Sequence, residues 1–453
     1  MFKFILITLI AAAIAPAAAA QQPEVLATTS LRNFTVTDLS AEARAAWEQR
    51  DRSFANSREQ LLSQMVTELL LEAEAKATGT TTAKLVNELK KKIADPSEDE
   101  IKRTYDANLK ALENKPLNEV RNAIISFLRR EPEDRALRSY VDGLAVKHKV
   151  SYQTDVNAAG LKPIDPLFTI DGRTVTDQEY ENKYRLTLYE VKADLVDDVA
   201  GDLTAVIFSV LADAEAAALK IDQQTFIARE ITDKMKQFTD DERAVLANSL
   251  RDRLFTKYKV KFLIRPPAPI VQKISVDDDP SRGPINAPVT VVMFADFQCP
   301  ACSRTHPILQ KVLAEFPGKV RFVARDFPLE NIHENAFRSA VAAGAANAQG
   351  KFFEYGELLY KNQEALDDAS LKKYAAQAGL NMRQFELDFS SEKTAAEVRK
   401  DMNDAESYGV TGTPTIFING VMVRQLSEES FRNAIREALK TPGVSPARSV
   451  TSQ

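Results

Sequence analysis

The 453-residue chain divides into an all-α, duplicated helical region followed by an α/β domain with a helical insertion, and three observations predict that division. Residues from about 40 to 260 are rich in Ala, Leu, Glu and Lys at helical spacing and repeat one another at several points. A proline-dense stretch opening at Arg265-Pro266-Pro267-Ala268-Pro269 breaks that pattern, because proline fixes φ and removes a backbone donor. Beyond it, a β-branched apolar run leads into a helix that carries both cysteines of the chain, Cys299 and Cys302. A 44% hydrophobic, 27% charged composition supplies packed cores rather than disorder, and the length exceeds one ordinary core.

The N-terminal stretch MFKFILITLIAAAIAPAAAAQQ has one Lys, an apolar run from Phe4 to Ile14, and a small-residue end where Ala18 and Ala20 satisfy an A-x-A cleavage rule. Residues 1–20 are expected to be a secretory signal peptide, followed by Gln21 and not by a lipidated cysteine. An uncleaved anchor is the alternative, disfavoured because the run is shorter than the ~20 residues that span a bilayer. The expected product is periplasmic or otherwise extracytoplasmic, with no stable membrane insertion after cleavage. Its net charge of −5, with no Lys/Arg cluster interleaved with aromatics, excludes nucleic acid as an expected partner.

In the helical region Leu62, Met65, Val66, Leu69 and Ala73 fall on one face of an amphipathic helix. Thr35-Val36-Thr37-Asp38 recurs as Thr174-Val175-Thr176-Asp177, and Ala73-Glu74-Ala75 as Ala214-Glu215-Ala216. The capping pair Ser97/Glu100 recurs as Thr239/Glu242, and Leu144-x-x-Lys147-x-Lys149-Val150-x-Tyr152 as Leu254-x-x-Lys257-x-Lys259-Val260-x-Phe262. Matches in the same order predict two related units, 21–160 and 161–265, the second shorter by roughly thirty residues near its end; a period this long indicates a duplicated domain. The run Ser97-Glu98-Asp99-Glu100-Ile101 through Tyr105, with Lys147-x-Lys149-Val150, resembles the helical chaperone domain of SurA/PrsA-type foldases. No parvulin domain fits between Tyr152 and Pro163, so isomerase activity is not implied. A plain spacer or dimerisation module is the alternative.

Residues 266–288 are expected to be a Pro-rich linker, 289–441 a domain, and 442–453 a disordered tail. Val289–Ala295 reads as a strand buried on both faces, Val320–Ala324 as a second strand, and Glu334–Asp388 as a helical stretch. Thr415–Val423 reads as a hairpin turned at Asn419-Gly420, and Glu428–Leu439 as a last helix. In an exported chain, two cysteines three residues apart with nothing else to pair with are chemical rather than architectural. A sulfur in the first turn of a helix meets unpaired N–H groups and the positive end of the helix dipole, which favour thiolate. Cys299 is therefore expected to be the acidic, exposed sulfur, and Cys302, one turn on, the screened one. Pro300 costs no hydrogen bond in that turn. Half of a zinc site is the main rival reading, but zinc takes four ligands, and the chain adds only His148, His306 and His333 at no finger spacing. His306 and His333 are read as ordinary packed or solvent-facing histidines. No metal and no cofactor are expected.

Four motifs, Ala287-Pro288-Val289, Phe297-Gln298-Cys299-Pro300-Ala301-Cys302, Arg325-Asp326-Phe327-Pro328-Leu329 and Gly409-Val410-x-Gly412-Thr413-Pro414, make this domain resemble the DsbA-like thioredoxin-fold family. The resemblance implies a thiol–disulfide oxidoreductase with Cys299 and Cys302 as catalytic residues and redox-active disulfide. It also implies a cis Thr413–Pro414 bond, with Thr413 and Pro414 binding an extended substrate. Two departures qualify it. The dipeptide between the cysteines is Pro-Ala, without the histidine of the strongest oxidants, and Met293 stands where a buried acid commonly sits six residues before the first cysteine; Asp296 cannot be assumed to replace it. The expected partners are unfolded or folding exported proteins with thiols, held by the helical region, and a redox protein that resets the pair. A disulfide reductase or isomerase, or a non-catalytic holding chaperone, are the alternatives.

Overall fold

A computed structural model describes residues 23–440; the expected signal peptide and C-terminal tail lie outside the described residues. The helical region runs β1 (Val25–Thr28), β2 (Asn33–Thr35), α1 (Ala41–Glu48), α2 (Arg50–Thr78), α3 (Thr82–Lys91), α4 (Glu98–Ala107), α5 (Leu117–Lys147) and β3 (Ser151–Tyr152). It continues through β4 (Pro166–Ile170), β5 (Arg173–Thr176), α6 (Asp177–Ala218), α7 (Gln223–Glu230), α8 (Asp240–Lys257) and β6 (Lys261–Phe262). The C-terminal domain begins with β7 (Ser281–Arg282), β8 (Val289–Ala295), α9 (Pro300–Leu313) and β9 (Val320–Asp326). Then come α10 (Ala336–Asn347), α11 (Phe352–Lys361), α12 (Asp368–Gln377), α13 (Met382–Phe389), α14 (Glu392–Ser407), β10 (Thr415–Ile418), β11 (Val421–Met422) and α15 (Glu428–Lys440).

The duplication is visible in side-chain detail. Lys147 donates to Glu74, and the equivalent Lys257 donates to Glu215. After each of these helices one lysine, Lys149 or Lys259, takes a left-handed backbone with φ 51° and 52°. Ser97 and Glu100 cap each other reciprocally, whereas Glu242 accepts from the amides of Lys236, Gln237 and Phe238 while its own amide donates to Thr239. The roughly thirty residues missing from the second repeat correspond to α4 and most of α5, where the second repeat has α8 alone. On α2 the fully buried residue is Leu70, and Leu69 and Ala73 are half-buried.

Each repeat begins with a hairpin and ends in a two-residue strand, and these strands are exchanged. The hairpin β1–β2 pairs with β6, the closing strand of the second repeat, and the hairpin β4–β5 pairs with β3, the closing strand of the first. Two three-stranded sheets thus sit in an otherwise helical region. The compact units follow this exchange and not the expected 160/161 boundary: one comprises residues up to Asp51 with Ala193–Pro266, the other Arg52–Lys192 with the chain from Pro267 on. In the first unit Leu26, Phe34, Leu203, Ile207 and Leu211 form the core. In the second, Leu62, Val66, Leu70, Phe168, Tyr180 and Tyr184 form one of several cores.

Residues 266–288 do not behave as a free linker. Ile274 and Val276 are buried against Phe294, Val323 and Phe417, the Gln272 amide donates to Gly420 O at 2.8 Å, and β7 pairs with β9. Prolines here fix an extended path that packs onto the sheet. Gly420 is required at the turn: it has φ 80°, and a Cβ there would lie 2.1 Å from Gln272 O.

The C-terminal sheet has the order β11-β10-β8-β9-β7, with β8 and β9 parallel and β10 antiparallel to β8. Strand alternation sorts its side chains onto two faces. Val289, Val291 and Met293 of β8 and Val320 and Phe322 of β9 face α9 and α15, packing with Leu309, Phe431, Ile435 and both cysteines. Val292, Phe294 and Val323 face the other way, onto Ala405, Val410 and Leu186 of α6. Helices α10 to α14 form the insertion, with a core of Ala342, Ala345, Tyr355, Leu371 and Phe385. The domain is therefore an α/β thioredoxin fold with a helical insertion.

Candidate active site

Strand β8 ends at Ala295, and three residues later the chain enters α9 with Cys299 as N-cap and Pro300 in the first turn. The turn between them is built on Asp296. Its carbonyl accepts the Cys299 amide at 3.1 Å. Its side chain, with no exposed surface, accepts from the Gln298 amide (2.7 Å), the Leu329 amide (3.0 Å) and His333 Nδ1 (2.6 Å). Gln363 closes the far side, donating to the carbonyls of Phe297 (2.7 Å) and Cys299 (2.9 Å). Gln298 Oε1 accepts from the Asn335 amide at 2.8 Å. The loop holding the first cysteine is thus pinned from both the β9–α10 connection and the turn after α11.

Cys299 and Cys302 are both free thiols. Cys302 is fully buried, and Cys299 is only 6% exposed, so the sulfur expected to be exposed is largely covered. The covering segment is the Thr413–Pro414 loop, whose peptide bond is cis and whose Thr413 carbonyl accepts from Cys299 Sγ at 3.5 Å. The structure therefore brings together Cys299, Cys302, Thr413 and Pro414, from positions more than a hundred residues apart in sequence.

The two sulfurs differ in acidity. The Cys302 thiol, donating to Cys299, pulls the Cys299 value down to about 5 against an opposing burial penalty, helped by Thr413 and by the amides of Cys302 and Ala301 at the helix start. Burial pushes Cys302 far above the ordinary thiol range. The Thr413 hydroxyl is buried with no other hydrogen-bond partner and lies where it stabilises charge on either sulfur. The outer sulfur is thus the one favoured to ionise and the inner one the one held neutral, the distribution that directs attack and departure in thiol–disulfide exchange.

His306 packs on the Tyr360 ring at 5.3 Å and burial lowers its value, as an ordinary packed histidine. His333 is different. It pairs with Asp296, and that hydrogen bond raises its value against burial. Sequence reasoning missed it, because a contact between residues 37 positions apart leaves no periodic signal. Met293 is 1% exposed and packs in the core around both sulfurs. Beside the site lies a cavity of about 260 Å³, lined by Thr413, Pro414, Thr411 and Met422 and by Leu186 and Thr187 of α6. The same stretch of α6 is tied to the loop before Thr413, with Arg185 donating to Ser407 O at 2.6 Å.

Residues 275–437 match the family model described as Thioredoxin. Curated relatives include a Na(+)/H(+) antiporter NhaA 1 of Mycolicibacterium vanbaalenii, 36% identical over 170 residues covering 36% of this chain and 28% of that protein. A Na(+)/H(+) antiporter NhaA 3 of Salinispora tropica is 39% identical over 147 residues, covering 32% and 22%. The chain thus spans about a quarter of the length of these relatives. Among solved structures, a thioredoxin-like oxidoreductase from Silicibacter pomeroyi is 27% identical and covers 36% of this chain and 94% of its own, with a TM-score of 0.34. BdbD from Bacillus subtilis, in its oxidised form, is 22% identical, covering 39% and 100%, with a TM-score of 0.36.

Proposed function

Residues 275–437 form a DsbA-like thioredoxin-fold domain, and from that premise we propose that the chain is an exported thiol–disulfide oxidoreductase that oxidises unfolded or folding proteins through Cys299 and Cys302. The observation that carries this reading is the pairing of a Cys299 value near 5 with a buried, neutral Cys302 beside the Thr413–Pro414 loop. In the oxidised enzyme a client thiolate attacks Cys299 Sγ, the Cys299–Cys302 bond breaks, and Cys302 leaves and takes up a proton. A second client thiolate then attacks the client sulfur of the mixed disulfide. The client disulfide forms, Cys299 leaves as a stable thiolate, and the enzyme is left reduced. A redox partner reoxidises the pair. The low Cys299 value makes it the better leaving group, which favours net oxidation of the client over reduction or isomerisation.

The helical region serves this chemistry as a client-binding surface. Leu186 and Thr187 wall the cavity beside Thr413 and Pro414, so a chain lying against Thr413 also lies against α6. The NhaA relatives' antiport is not carried over, since the match spans a quarter of their length, and among the described residues no helix is long and apolar enough to cross a membrane.

The test separates binding from chemistry. With a reduced, unfolded cysteine-containing protein as client, the oxidised enzyme is expected to lose its disulfide as the client gains one. Thr187→Asp, at a half-buried position that also lines the cavity, should raise KM for that client severalfold while leaving the rate with glutathione unchanged. Equal loss with both thiols, or no loss with either, contradicts a client-binding role for α6; failure of the wild type to oxidise any thiol contradicts the function itself.

A further inference from the structure

The sequence predicts a linker between the helical region and the redox domain, yet one stretch of α6 is built into that domain. Leu186 is 3% exposed and packs with Ile274, Phe294, Val410 and Phe417, on the face of the sheet opposite α9. Its neighbour Arg185 reaches the C-terminal end of α14. The guanidinium donates from Nη2 to Ser407 O at 2.6 Å and to Gln272 Oε1 at 3.1 Å. Gln272, itself buried, donates onward to Tyr408 O at 2.8 Å. The last carbonyls of a helix lack intrahelical partners and carry the negative end of its dipole, so a guanidinium placed there caps it. Among the described residues no other side chain donates to Ser407 O or Tyr408 O.

Beyond the cap the chain has little slack. Gly409 turns with φ 82°, and a Cβ there would lie 3.2 Å from both Arg185 Cγ and Asn182 O, so the exit of α14 runs against the backbone of α6 itself. Val410 is buried in the same core as Leu186. Only Thr411 and Gly412 then separate this anchor from Thr413, whose carbonyl meets Cys299 Sγ at 3.5 Å. From the other side, the Thr415 hydroxyl at the start of β10 donates to Gly412 O at 2.8 Å. Thr413 is thus fixed on one side by β10 and on the other by the contact between α6 and α14.

We propose that Arg185 is a positioning residue of the redox site: by capping α14 it holds the segment from Gly409 to Thr413 so that Thr413 stays against Cys299. Through it the helical region sets the reactivity of the cysteine pair, besides walling the cavity beside it. The inference rests on the oxidoreductase reading and deepens it. Arg185 contacts neither sulfur and takes no part in making or breaking bonds. It acts through place. A Thr413 that swings away from Cys299 removes one of the groups that favour its thiolate, Cys299 becomes the poorer leaving group, and the pair becomes less oxidising. An arginine whose Nε is buried with no hydrogen-bond partner is a costly residue for packing alone; what it supplies here is the cap on the helix that leads into the site.

Arg185→Met in the full chain keeps most of the side-chain length and removes its donors; ultraviolet titration of the Cys299 thiolate and equilibration with glutathione read the effect. The titration should move up by about one pH unit, the worth of one hydrogen bond to a charged group. At pH 7 the pair should become about tenfold less oxidising, or about 30 mV. Arg185→Lys, which keeps a donor for Ser407 O, should restore most of both. Because the shift comes from position and not from a distant charge, it should persist in about 1 M salt, where the Debye length is about 3 Å. Gly409→Ala leaves the arginine in place and wedges the loop away from α6; it should move both readings the same way and covers the case in which Arg185→Met does not fold. Wild-type titration and potential in a folded Arg185→Met or Gly409→Ala protein would overturn the assignment, and so would a shift that salt abolishes. A wild-type pair that oxidised glutathione cannot convert to a disulfide would instead overturn the oxidoreductase reading.

Discussion

Cys299→Ser is expected to abolish disulfide exchange, and Cys302→Ser to leave a reactive protein that accumulates mixed disulfides with its clients. The asymmetry follows from position. Cys299 caps α9, is pulled down to about 5, and is the sulfur beside Thr413; Cys302 has no exposed surface and is held neutral by burial. Without Cys299 no sulfur in the site is both reachable and ionised. Without Cys302 the Cys299 thiolate still attacks a client disulfide, bonding to one client sulfur and releasing the other as thiolate, but nothing inside the protein resolves the product. Cys302→Ser also removes the thiol that contributes most to the Cys299 shift, so the trapped species should form more slowly at mildly acidic pH than at neutral pH. Gel analysis under non-reducing conditions with a disulfide-bonded client reads both variants. Adducts through Cys302 in the Cys299→Ser protein would reverse the assignment.

Arg325→Leu is expected to be the most destabilising single substitution in the C-terminal domain. The Arg325 side chain has no exposed surface. Its guanidinium donates to Asp401 (3.0 and 2.5 Å), to Asp404 (2.8 Å) and to Ser275 O (3.3 Å), and lies 3.3 Å from Asp279. Leucine leaves buried carboxylates without their cation, a change that typically costs about 3–5 kcal/mol. In a unit of this size that corresponds to a fall of roughly 10 °C in Tm. The cluster joins the chain before β7, the end of β9 and helix α14, so its loss should also loosen Asp326, whose amide donates to Asp401 at 2.9 Å. Thermal unfolding measures the change; a loss below about 1 kcal/mol would mean that water or rearranged side chains replace the guanidinium.

The cysteine pair, the strand–helix placement of Cys299, the Asn419-Gly420 hairpin and the duplicated helical half were legible because each is written in local spacing. What escaped the sequence depends on long-range encounters. The exchanged strands β3 and β6 are two residues long, too short for alternation to show, and because the two repeats resemble each other either closing strand suits either hairpin. Arg325 was noticed as part of a motif, but the carboxylates it binds lie 46, 76 and 79 positions away. Met293 correctly marked a position without an acid. The stretch 266–288 looked like a linker for its prolines, yet Ile274 and Val276 are core residues, because an extended chain can pack as well as bridge.

The direction of electron flow turns on the Cys299 thiolate. Its value in the folded protein lies below the ordinary one, so the reduced form gains stability as pH rises from about 5 to 9 and loses it as pH falls through about 5. The disulfide form has no such group. At pH 7 the gain is roughly 3 kcal/mol, or about 60 mV toward oxidising potential. Equilibration of the Cys299–Cys302 pair against glutathione buffers at pH 7 measures this directly. A reduction potential nearer the about −120 mV of DsbA than the about −270 mV of thioredoxin is expected; a value at or below about −270 mV, or a pair that never forms its disulfide, would contradict an oxidase built on these two cysteines.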